Sequence, residues 1–330
     1  MGAFPNRALA LELQFPLPNV PPVPDTSPIS GTTRLCAVYG HPVKHSASPA
    51  MQNAGIAALG LDWRYVAHDV DPTILRAAVA GAGAMKYVGL NLTVPHKLLA
   101  YELVDELDET GKVWGAVNTI RFEGRDDAGE WKPLAQLPID YTGELRTHGF
   151  NTDADAIIRA INEDLGLDPR GKRVVLLGAG GAGRVAALRL AAEGVGQLCL
   201  VNRTVAKAEA VKAEITERYP GVSATVGYPA DQRADILLNA TSLGLREDDG
   251  SPLDESQFPT ASAPFVYDMI YRPAATTLLR RAQAAGAKTA NGLGMLLYQG
   301  VKALEIWTGR PAPVEVMRAA LEANVYGSQS

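Results

Sequence analysis

The chain alternates short runs of apolar residues with longer segments in which apolar positions recur every three or four residues. The alternation begins at Arg34 and, after a polar stretch, starts again near Asp153. Short apolar runs predict buried strands, whereas the longer periodic segments predict amphipathic helices. Because repeated strand and helix units form a largely parallel sheet with helices on its faces, the pattern predicts two α/β domains.

The predicted strands of the first series are RLCAVYG, WRYVAHDV and YVGLNLT, and those of the second begin with KRVVLLG and continue with QLCLVNR, SATVGY, DILLNAT and FVYDMIY. A helix is expected to begin at Ser48 and Pro49 and to end near Gly60, because proline is favoured in the first turn. The residues from Gly292 to about Tyr326 predict further helices, which could pack back on the first domain.

Two segments fall outside this pattern. Residues 1–33 contain repeated prolines, which fix φ and remove backbone donors, so they predict an extended arm to which we assign no chemistry. Residues 123–141 are polar and rich in Gly, Pro and Asp, so they predict a peripheral surface hairpin or loop.

Charge and cysteine content argue against several classes of protein. A formal net charge of -5, with no basic stripe, argues against a nucleic-acid partner, because phosphate backbones are bound by basic surfaces. No apolar run reaches the roughly 20 residues of a membrane span. Cys36 and Cys199 lie in predicted strands and are expected to be inert thiols of a soluble, cytoplasmic protein. The histidines lack metal-ligand spacing, so no metal is predicted.

The strongest local motif is Gly178-Ala179-Gly180-Gly181-Ala182-Gly183. It directly follows the apolar run 174–177 and directly precedes a periodic helical segment. Glycines in this setting let the backbone approach a pyrophosphate, whose charge then lies at the helix N-terminus. The motif therefore predicts a Rossmann dinucleotide site, and a simple tight turn is the alternative.

The end of the next strand indicates which dinucleotide binds. Domains that bind NAD normally place an acidic residue there, which binds the ribose 2′-hydroxyl. Here the strand ends in Asn202-Arg203-Thr204, and Lys207 follows one turn later. A guanidinium suits a 2′-phosphate and no carboxylate is present to repel one, so the sequence predicts NADP. A merely solvated arginine is the alternative.

Four polar clusters are predicted at strand ends and helix starts, which is where open α/β sheets bind ligands. They are His45-Ser46-Ala47-Ser48-Pro49, Asn91 to Lys97, Ala116 to Thr119, and Gly149 to Asp153. Each cluster also has a purely structural interpretation. Ser48, Thr93 and Asp153 could each cap a helix. Asn118 could be a turn residue.

Together with the glycine motif, the four clusters resemble the shikimate dehydrogenase family in kind, order and approximate spacing. The resemblance extends from about Arg34 to about Gly309. Further matching segments are Asn202-Arg203-Thr204, Asn239-Ala240-Thr241-Ser242, Tyr267 to Pro273 followed by Thr276, and Asn291 to Met295 ending at Gln299. The resemblance implies a mixed α/β substrate domain and a Rossmann dinucleotide-binding domain separated by a cleft. The corresponding boundaries are 34–152 with 293–330 for the first domain and 153–292 for the second.

The resemblance implies reversible, NADPH-dependent reduction of 3-dehydroshikimate to shikimate in aromatic amino-acid biosynthesis. It implies that Ser46 and Ser48 bind the substrate carboxylate and that Lys97 and Asp153 are the catalytic pair. Residues implied at the polyol side of the ring are Thr93, Asn118, Asp153, Tyr271 and Gln299. The implied cofactor-binding residues are Gly178, Ala179, Gly180, Gly181, Ala182, Asn202, Arg203, Thr204, Lys207, Ala240, Thr241, Ser242, Met269, Gly292 and Met295.

A physical argument supports Lys97 independently of the resemblance. Reducing a ketone requires a proton donor at the oxygen on which negative charge develops. Lys97 follows Pro95 in a predicted first helical turn, where burial and the positive helix end would favour the neutral amine. A nearby carboxylate would favour the charged form instead. A lysine balanced in this way can donate a proton in reduction and accept one in oxidation.

Three other functions stay open at this point. A quinate/shikimate dehydrogenase of broader specificity would be expected to differ around Ser46 and Ser48 or to carry an acidic residue after Val201. An enzyme like methylenetetrahydrofolate dehydrogenase shares the architecture and a lysine, but the HSASP and GFNTD segments favour a small carboxylate-bearing polyol. A non-catalytic NADP-binding regulatory protein would have no need of both Lys97 and Asp153. The sequence does not distinguish a monomer from a homodimer.

Overall fold

Two β-sheets, each flanked by helices, form the described part of the chain. The computed structural model describes residues 28–246 and 248–327. Most of the arm predicted for residues 1–33 therefore lies outside the described residues. Within the ranges described, no helix is both long and apolar enough to cross a membrane.

The strands alternate with helices along both halves of the chain. The strands are β1 (Arg34–Gly40), β2 (Trp63–Asp69), β3 (Gly89–Leu92), β4 (Glu106–Leu107), β5 (Thr119–Arg125), β6 (Trp131–Pro133), β7 (Leu145–Phe150), β8 (Arg173–Leu177), β9 (Gln197–Val201), β10 (Ser223–Val226), β11 (Ile236–Asn239), β12 (Phe265–Asp268) and β13 (Lys288–Asn291). The helices are α1 (Ser48–Ala58), α2 (Leu75–Ala84), α3 (His96–Tyr101), α4 (Glu109–Trp114), α5 (Asp153–Leu165), α6 (Gly181–Glu193), α7 (Val205–Arg218), α8 (Thr277–Ala284), α9 (Leu293–Thr308) and α10 (Val314–Tyr326).

The first sheet is mixed. Its strand order is β2-β1-β3-β5-β7-β4, with β6 paired to β5. Strands β1, β2 and β3 are parallel, whereas β5 is antiparallel to β3, β6 and β7. The expectation of a largely parallel sheet is therefore wrong for the part of the first sheet around β5, which pairs antiparallel with β3, β6 and β7. The short connections among β5, β6 and β7 contain no crossover helix, which a parallel pair requires.

The second sheet is parallel throughout. Its order is β10-β9-β8-β11-β12-β13, which is 3-2-1-4-5-6 when counted from β8. This order defines the Rossmann fold, with its switch point between β8 and β11. The predicted fold class, a mixed α/β substrate domain and a Rossmann domain in one chain, is confirmed. Cys36 in β1 and Cys199 in β9 are both buried and free.

The C-terminal helices α9 and α10 pack on the first sheet and on α1. The indole of Trp307 is fully buried, and its Nε1 donates to the carbonyl of Ile120 in β5 at 3.0 Å. Gly55 allows the close approach, because a Cβ there would lie 2.9 Å from Leu304 and from Met317. The last segment of the chain thus completes the core under the first sheet.

The segment 123–141 is not wholly peripheral, contrary to the sequence prediction. It begins inside β5, where Glu123 is only 1% exposed. The Glu123 carboxylate accepts hydrogen bonds from Arg121 Nε at 2.9 Å and from Arg146 Nε at 2.7 Å, and it lies 3.1 Å from His148 Nδ1. Glutamate is rarely buried unless it is paired, and here its partners come from the same strand and from β7.

Candidate active site

A cavity of about 400 Å³ opens where the carboxyl ends of β1 and β3 meet the first turns of α1, α5 and α9, and we call it the polar cavity because its wall contains ten polar side chains beside apolar ones. The structure brings together in its wall every residue predicted for catalysis or substrate binding, namely Ser46, Ser48, Thr93, Lys97, Asn118, Asp153, Tyr271 and Gln299. These residues come from six separate segments of the chain. The fold therefore assembles one site from the four polar clusters and the C-terminal motifs.

Lys97 and Asp153 form an ion pair at this cavity. The Nζ of Lys97 lies 2.7 Å from Oδ2 of Asp153, and the two side chains are 32% and 16% exposed. Lys97 belongs to the first turn of α3, as expected, and Asp153 is the first residue of α5. Lys97 is less buried than the sequence argument assumed, so solvent protons can reach its ammonium group.

The alternative interpretations of these residues as helix caps are wrong. The residue before α1 is Ala47, and Ser48 already lies within the helix. Pro95 precedes α3 and Thr152 precedes α5, so neither Thr93 nor Asp153 occupies a capping position. The side chain of Asn151 instead accepts from the backbone nitrogens of Asp153 and Ala154, at 3.1 and 3.3 Å. The Asp153 carboxylate is thereby left for the cavity and for Lys97.

Asn118 links β5 to the start of α5 and is more than a turn residue. It is 2% exposed, its Oδ1 accepts from the backbone nitrogen of Thr152 at 2.8 Å, and its Nδ2 donates to the Thr152 hydroxyl at 3.0 Å. These bonds hold the start of β5, which directly follows Asn118, against the helix that carries Asp153. The amide side chain has a fixed orientation at the cavity wall as a result.

The cavity wall also contains residues to which the sequence analysis assigned no role. They are Val38, Pro42, Val43, His45, Ala47, Asn91, Leu92 and Leu296. Asn91 is the clearest omission, because it is buried, accepts from the Tyr65 hydroxyl at 2.8 Å and donates to the Thr119 hydroxyl at 3.0 Å. Its position near the end of β3, within the polar cluster Asn91 to Lys97, was the feature of the sequence that could have identified it.

The glycine turn after β8 has the geometry that a dinucleotide requires. Gly178 has φ +104, and a Cβ on Gly183 would lie 2.1 Å from the carbonyl oxygen of Gly178. A Cβ on Gly180 would meet nothing within 4 Å, so the backbone is open to a ligand there. α6 begins at Gly181 and directs its free amides at the same place. The turn therefore fits a pyrophosphate.

Asn202 stabilises this turn, and two cations lie just beyond it. The Asn202 side chain accepts from the backbone nitrogen of Ala179 at 3.0 Å and donates to the carbonyl of Thr204 at 2.8 Å. Arg203 and Lys207 are exposed. Among the residues that the structure describes, neither side chain has a hydrogen-bond or ion-pair partner. Both are available for a negatively charged group beside the turn.

The remaining predicted cofactor residues lie along the same edge of the second sheet. Ala240, Thr241 and Ser242 follow β11, and Met269 follows β12. Met269, Gly292 and Met295 also line the polar cavity. A second hollow of about 490 Å³ includes Gly181 and Ala182 and shares Lys97, Asp153 and Met295 with the polar cavity. The glycine turn and the Lys97–Asp153 pair thus face one continuous cleft.

A Rossmann sheet with an open glycine turn, facing a polar cavity that holds a lysine–carboxylate pair, defines a two-domain α/β oxidoreductase of the dinucleotide-binding class. Three family models match successive parts of the chain. They describe the shikimate dehydrogenase substrate binding domain (residues 38–120), shikimate / quinate 5-dehydrogenase (161–244) and the shikimate 5′-dehydrogenase C-terminal domain (292–322). The chain therefore belongs to the shikimate dehydrogenase family, as its motifs predict.

Individual relatives are similar to this chain over nearly its whole length. The shikimate dehydrogenase (NADP(+)) of Methanopyrus kandleri is 40% identical over 299 residues, which cover 89% of this chain and 96% of that protein. A crystal structure of shikimate dehydrogenase in complex with NADP+ is 36% identical, with a TM-score of 0.76 over 91% of this chain and 98% of that one. The ligand-free 5-ketofructose reductase of a Gluconobacter strain is 34% identical, with a TM-score of 0.74 over 88% and 98%.

Proposed function

We propose that this chain catalyses the reversible NADPH-dependent reduction of 3-dehydroshikimate to shikimate in aromatic amino-acid biosynthesis. The observation that carries the proposal is the 2.7 Å contact between Lys97 and Asp153 in a polar cavity beside an open Rossmann turn. Family membership and the relatives named for NADP and shikimate support the substrate and the cofactor.

In this proposal the two domains divide the main tasks. Residues 34–152 and 293–330 form the substrate domain and residues 153–292 form the NADP domain, while Asp153 and Tyr271 of the NADP domain also reach the substrate and Met295 of the substrate domain also reaches the cofactor. The packing of α9 and α10 on the first sheet supports the discontinuous substrate domain. Two buried, unpaired thiols support a cytoplasmic location. The working unit is a monomer or a homodimer, which sedimentation of the purified protein distinguishes.

Substrate binding uses two sets of polar groups in the cavity wall. The hydroxyls of Ser46 and Ser48 hold the carboxylate at the N-terminus of α1, where the helix dipole also favours negative charge. The ring hydroxyls are held by other polar groups of the same wall, which are Thr93, Asn118, Asp153, Tyr271 and Gln299. Holding both the carboxylate and the ring hydroxyls orients the ketone toward Lys97.

Proton transfer is the task of the ion pair. When bound, NADPH supplies the hydride that reduces the carbonyl carbon. The Lys97 ammonium donates a proton to the ketone oxygen, so that the hydride and this proton together make the alcohol. Lys97 is left as a neutral amine and regains a proton from solvent, to which its side chain is 32% exposed. Asp153 holds the ammonium in place and accepts a hydrogen bond from the adjacent substrate hydroxyl.

The chain's own residues fit NADP. The open backbone at Gly180 and the free amides at the start of α6 would hold the pyrophosphate. Arg203 and Lys207, whose side chains have no partner among the described residues, would hold the 2′-phosphate. Asn202 keeps the turn in the required shape through its bond from Ala179.

The test is a crossed assay of the purified protein, followed at the absorbance band of the reduced nicotinamide. Shikimate and quinate are each offered with NADP and with NAD. We expect reduction of NADP with shikimate to be the fastest of the four reactions. No turnover of shikimate with either cofactor would overturn the proposal. Comparable turnover of quinate would instead favour the broader quinate/shikimate enzyme, which the matching family model at residues 161–244 also covers.

A further inference from the structure

The carboxylate of Asp268 is fully buried at the end of β12, and among the residues that the structure describes it forms no ion pair. Its Oδ1 accepts from the backbone nitrogen of Ile270 at 3.0 Å and from Nδ2 of Asn239 at 2.9 Å, and its Oδ2 accepts from the Thr276 hydroxyl at 2.6 Å. Burial raises its pKa, and these three hydrogen bonds oppose the shift. A buried carboxyl group is costly unless its hydrogen bonds are satisfied. Asp268 is therefore held by three donors in a single arrangement.

Asn239 extends this arrangement to the neighbouring strand. It is the last residue of β11 and is also fully buried. Its Oδ1 accepts from the backbone nitrogen of Thr241 at 2.9 Å and from the Thr241 hydroxyl at 2.8 Å. A continuous chain of hydrogen bonds thus runs from Thr241 through Asn239 and Asp268 to Ile270.

The two ends of this series of hydrogen bonds lie in different loops. Residues 240–245, the cofactor loop, contain Ala240, Thr241 and Ser242. Residues 269–273, the wall loop, contain Met269 and Tyr271, which both line the polar cavity. The loops also touch, because a Cβ on Gly244 would lie 3.3 Å from Ile270 and from Thr276. Asp268 itself does not line the cavity.

We infer that Asp268 is a positioning residue that fixes the cofactor loop and the wall loop in one joint arrangement, and so prepares the NADP site and the substrate cavity together. The inference rests on the proposed function. Without Asp268 the loops would occupy this arrangement only part of the time, and the apparent affinity of each ligand would fall by that fraction. The first ligand to bind would restore the arrangement for the second, which makes binding cooperative.

The test is titration of NADPH, followed by its fluorescence, with and without saturating shikimate. These two ligands are both reduced and cannot react with each other. Wild type should bind NADPH with an affinity that shikimate changes by less than about 3-fold, because its loops are already ordered. Without shikimate, Asp268→Ala should bind NADPH about 10-fold more weakly than wild type, because loops ordered about a tenth of the time lower the apparent affinity by that factor. With saturating shikimate, the variant should recover most of this loss.

Two further variants make the test specific. Asp268→Asn should stay within about 3-fold of wild type, since one amide oxygen can accept from Ile270 and Asn239 while its nitrogen donates to Thr276. Asn239→Ala removes the other buried side chain of this series of hydrogen bonds, so it should have the same effects on NADPH binding as Asp268→Ala. It keeps the inference testable if Asp268→Ala does not fold. In both alanine variants kcat at saturation should change less than KM, because the bound ligands order the loops.

Glu123→Gln is the matched control, since it alters an equally buried carboxyl group in the first sheet, far along the chain from both loops. It should lower stability without weakening NADPH binding. If the folded alanine variants bind NADPH as tightly as wild type, or if shikimate does not relieve their loss, the inference is overturned. If wild type itself fails to bind NADPH or to oxidise shikimate, the proposed function fails instead.

Discussion

The side-chain nitrogen of Lys97 lies 2.7 Å from Oδ2 of Asp153, although the two residues are 56 positions apart in the chain. α3 carries the lysine away from the end of β3, and α5 begins at the aspartate on its way to the second sheet. The contact forms only when the first sheet and the helix leading to the second sheet are both in place. A reactive pair built in this way depends on the assembled fold and on no single motif.

Replacing Lys97 with alanine should abolish most turnover while leaving binding largely intact. The side chain is needed chiefly when charge develops on the ketone oxygen, and loss of a general acid typically lowers the rate by about 10²- to 10⁴-fold. Steady-state kcat and KM for shikimate check this. Lys112→Ala removes an exposed lysine that pairs with Glu109 and serves as the control. A Lys97→Ala enzyme with kcat within a few-fold of wild type would exclude Lys97 as the proton donor.

Replacing both Ser46 and Ser48 with alanine should raise KM for shikimate and leave kcat nearly unchanged. Each hydrogen bond to a charged group contributes roughly 1.5 to 3 kcal/mol, so one lost bond raises KM by about 10-fold or more. The Ser46 hydroxyl accepts from the backbone nitrogen of Ser48, the first residue of α1, at 3.4 Å, so we expect a small loss of thermal stability, which is measured beside the kinetics. Shikimate methyl ester lacks the carboxylate charge and is the matched probe. Its KM should be nearly the same in both enzymes, and a parallel rise for acid and ester would place the carboxylate elsewhere.

Replacing Arg203 with alanine should weaken NADP binding without affecting NAD. Loss of a charge-assisted hydrogen bond of roughly 1.5 to 3 kcal/mol corresponds to about a 10- to 150-fold loss of affinity. Titration of both cofactors into wild type and variant measures the difference. Arg76→Ala, at an exposed position on α2, is the control. Equal loss of both cofactors, or a wild type that already prefers NAD, would contradict the assignment.

Replacing Asn202 with aspartate should shift preference toward NAD. A carboxylate there would accept from a free 2′-hydroxyl and repel a 2′-phosphate. It would still accept from Ala179 but could no longer donate to the carbonyl of Thr204. We therefore expect the change in preference to come with a small loss of thermal stability, and the ratio of NADP to NAD dissociation constants measures it. An unchanged ratio would show that the 2′ group of the cofactor's ribose does not lie beside Asn202.

Acid should destabilise the protein through Glu123. Burial alone would raise the pKa of this carboxyl, but hydrogen bonds from His148, Arg121 and Arg146 outweigh burial and lower it to about 2. The group therefore stabilises the fold by up to about 3 kcal/mol above pH 4.5, and that contribution disappears as the pH falls from 4.5 toward 2. Urea unfolding of wild type and Glu123→Gln between pH 7 and 3 checks this. The difference in free energy of unfolding between wild type and Glu123→Gln should become smaller as the pH falls. A difference that does not change with pH would contradict this prediction.

Local features of the sequence were predictable and long-range pairings were not. The turn at Gly178 and the runs of β8 to β12 are encoded within short windows, since a strand followed by a glycine turn and a helix needs no distant partner. Glu123 was misassigned because the bond that holds it comes from Arg146, 23 positions away. Asp268 lies within a matching segment, yet its role depends on Asn239, 29 positions away, which the segment does not contain. The Lys97–Asp153 pair was predicted through family resemblance, and no spacing rule would have found it.

The hydrogen bond from Trp307 to Ile120 spans 187 positions of the chain. Its indole also occupies the space beside Gly89, where a Cβ would lie 2.0 Å from Nε1. During translation, β1 to β7 leave the ribosome first, and the whole second sheet follows before α9 is made. One apolar face of the first sheet therefore stays uncovered until α9 has been synthesised. The polar cavity, whose wall includes Met295 and Gln299 of α9, can form only after α9 has been made, and not when β7 emerges.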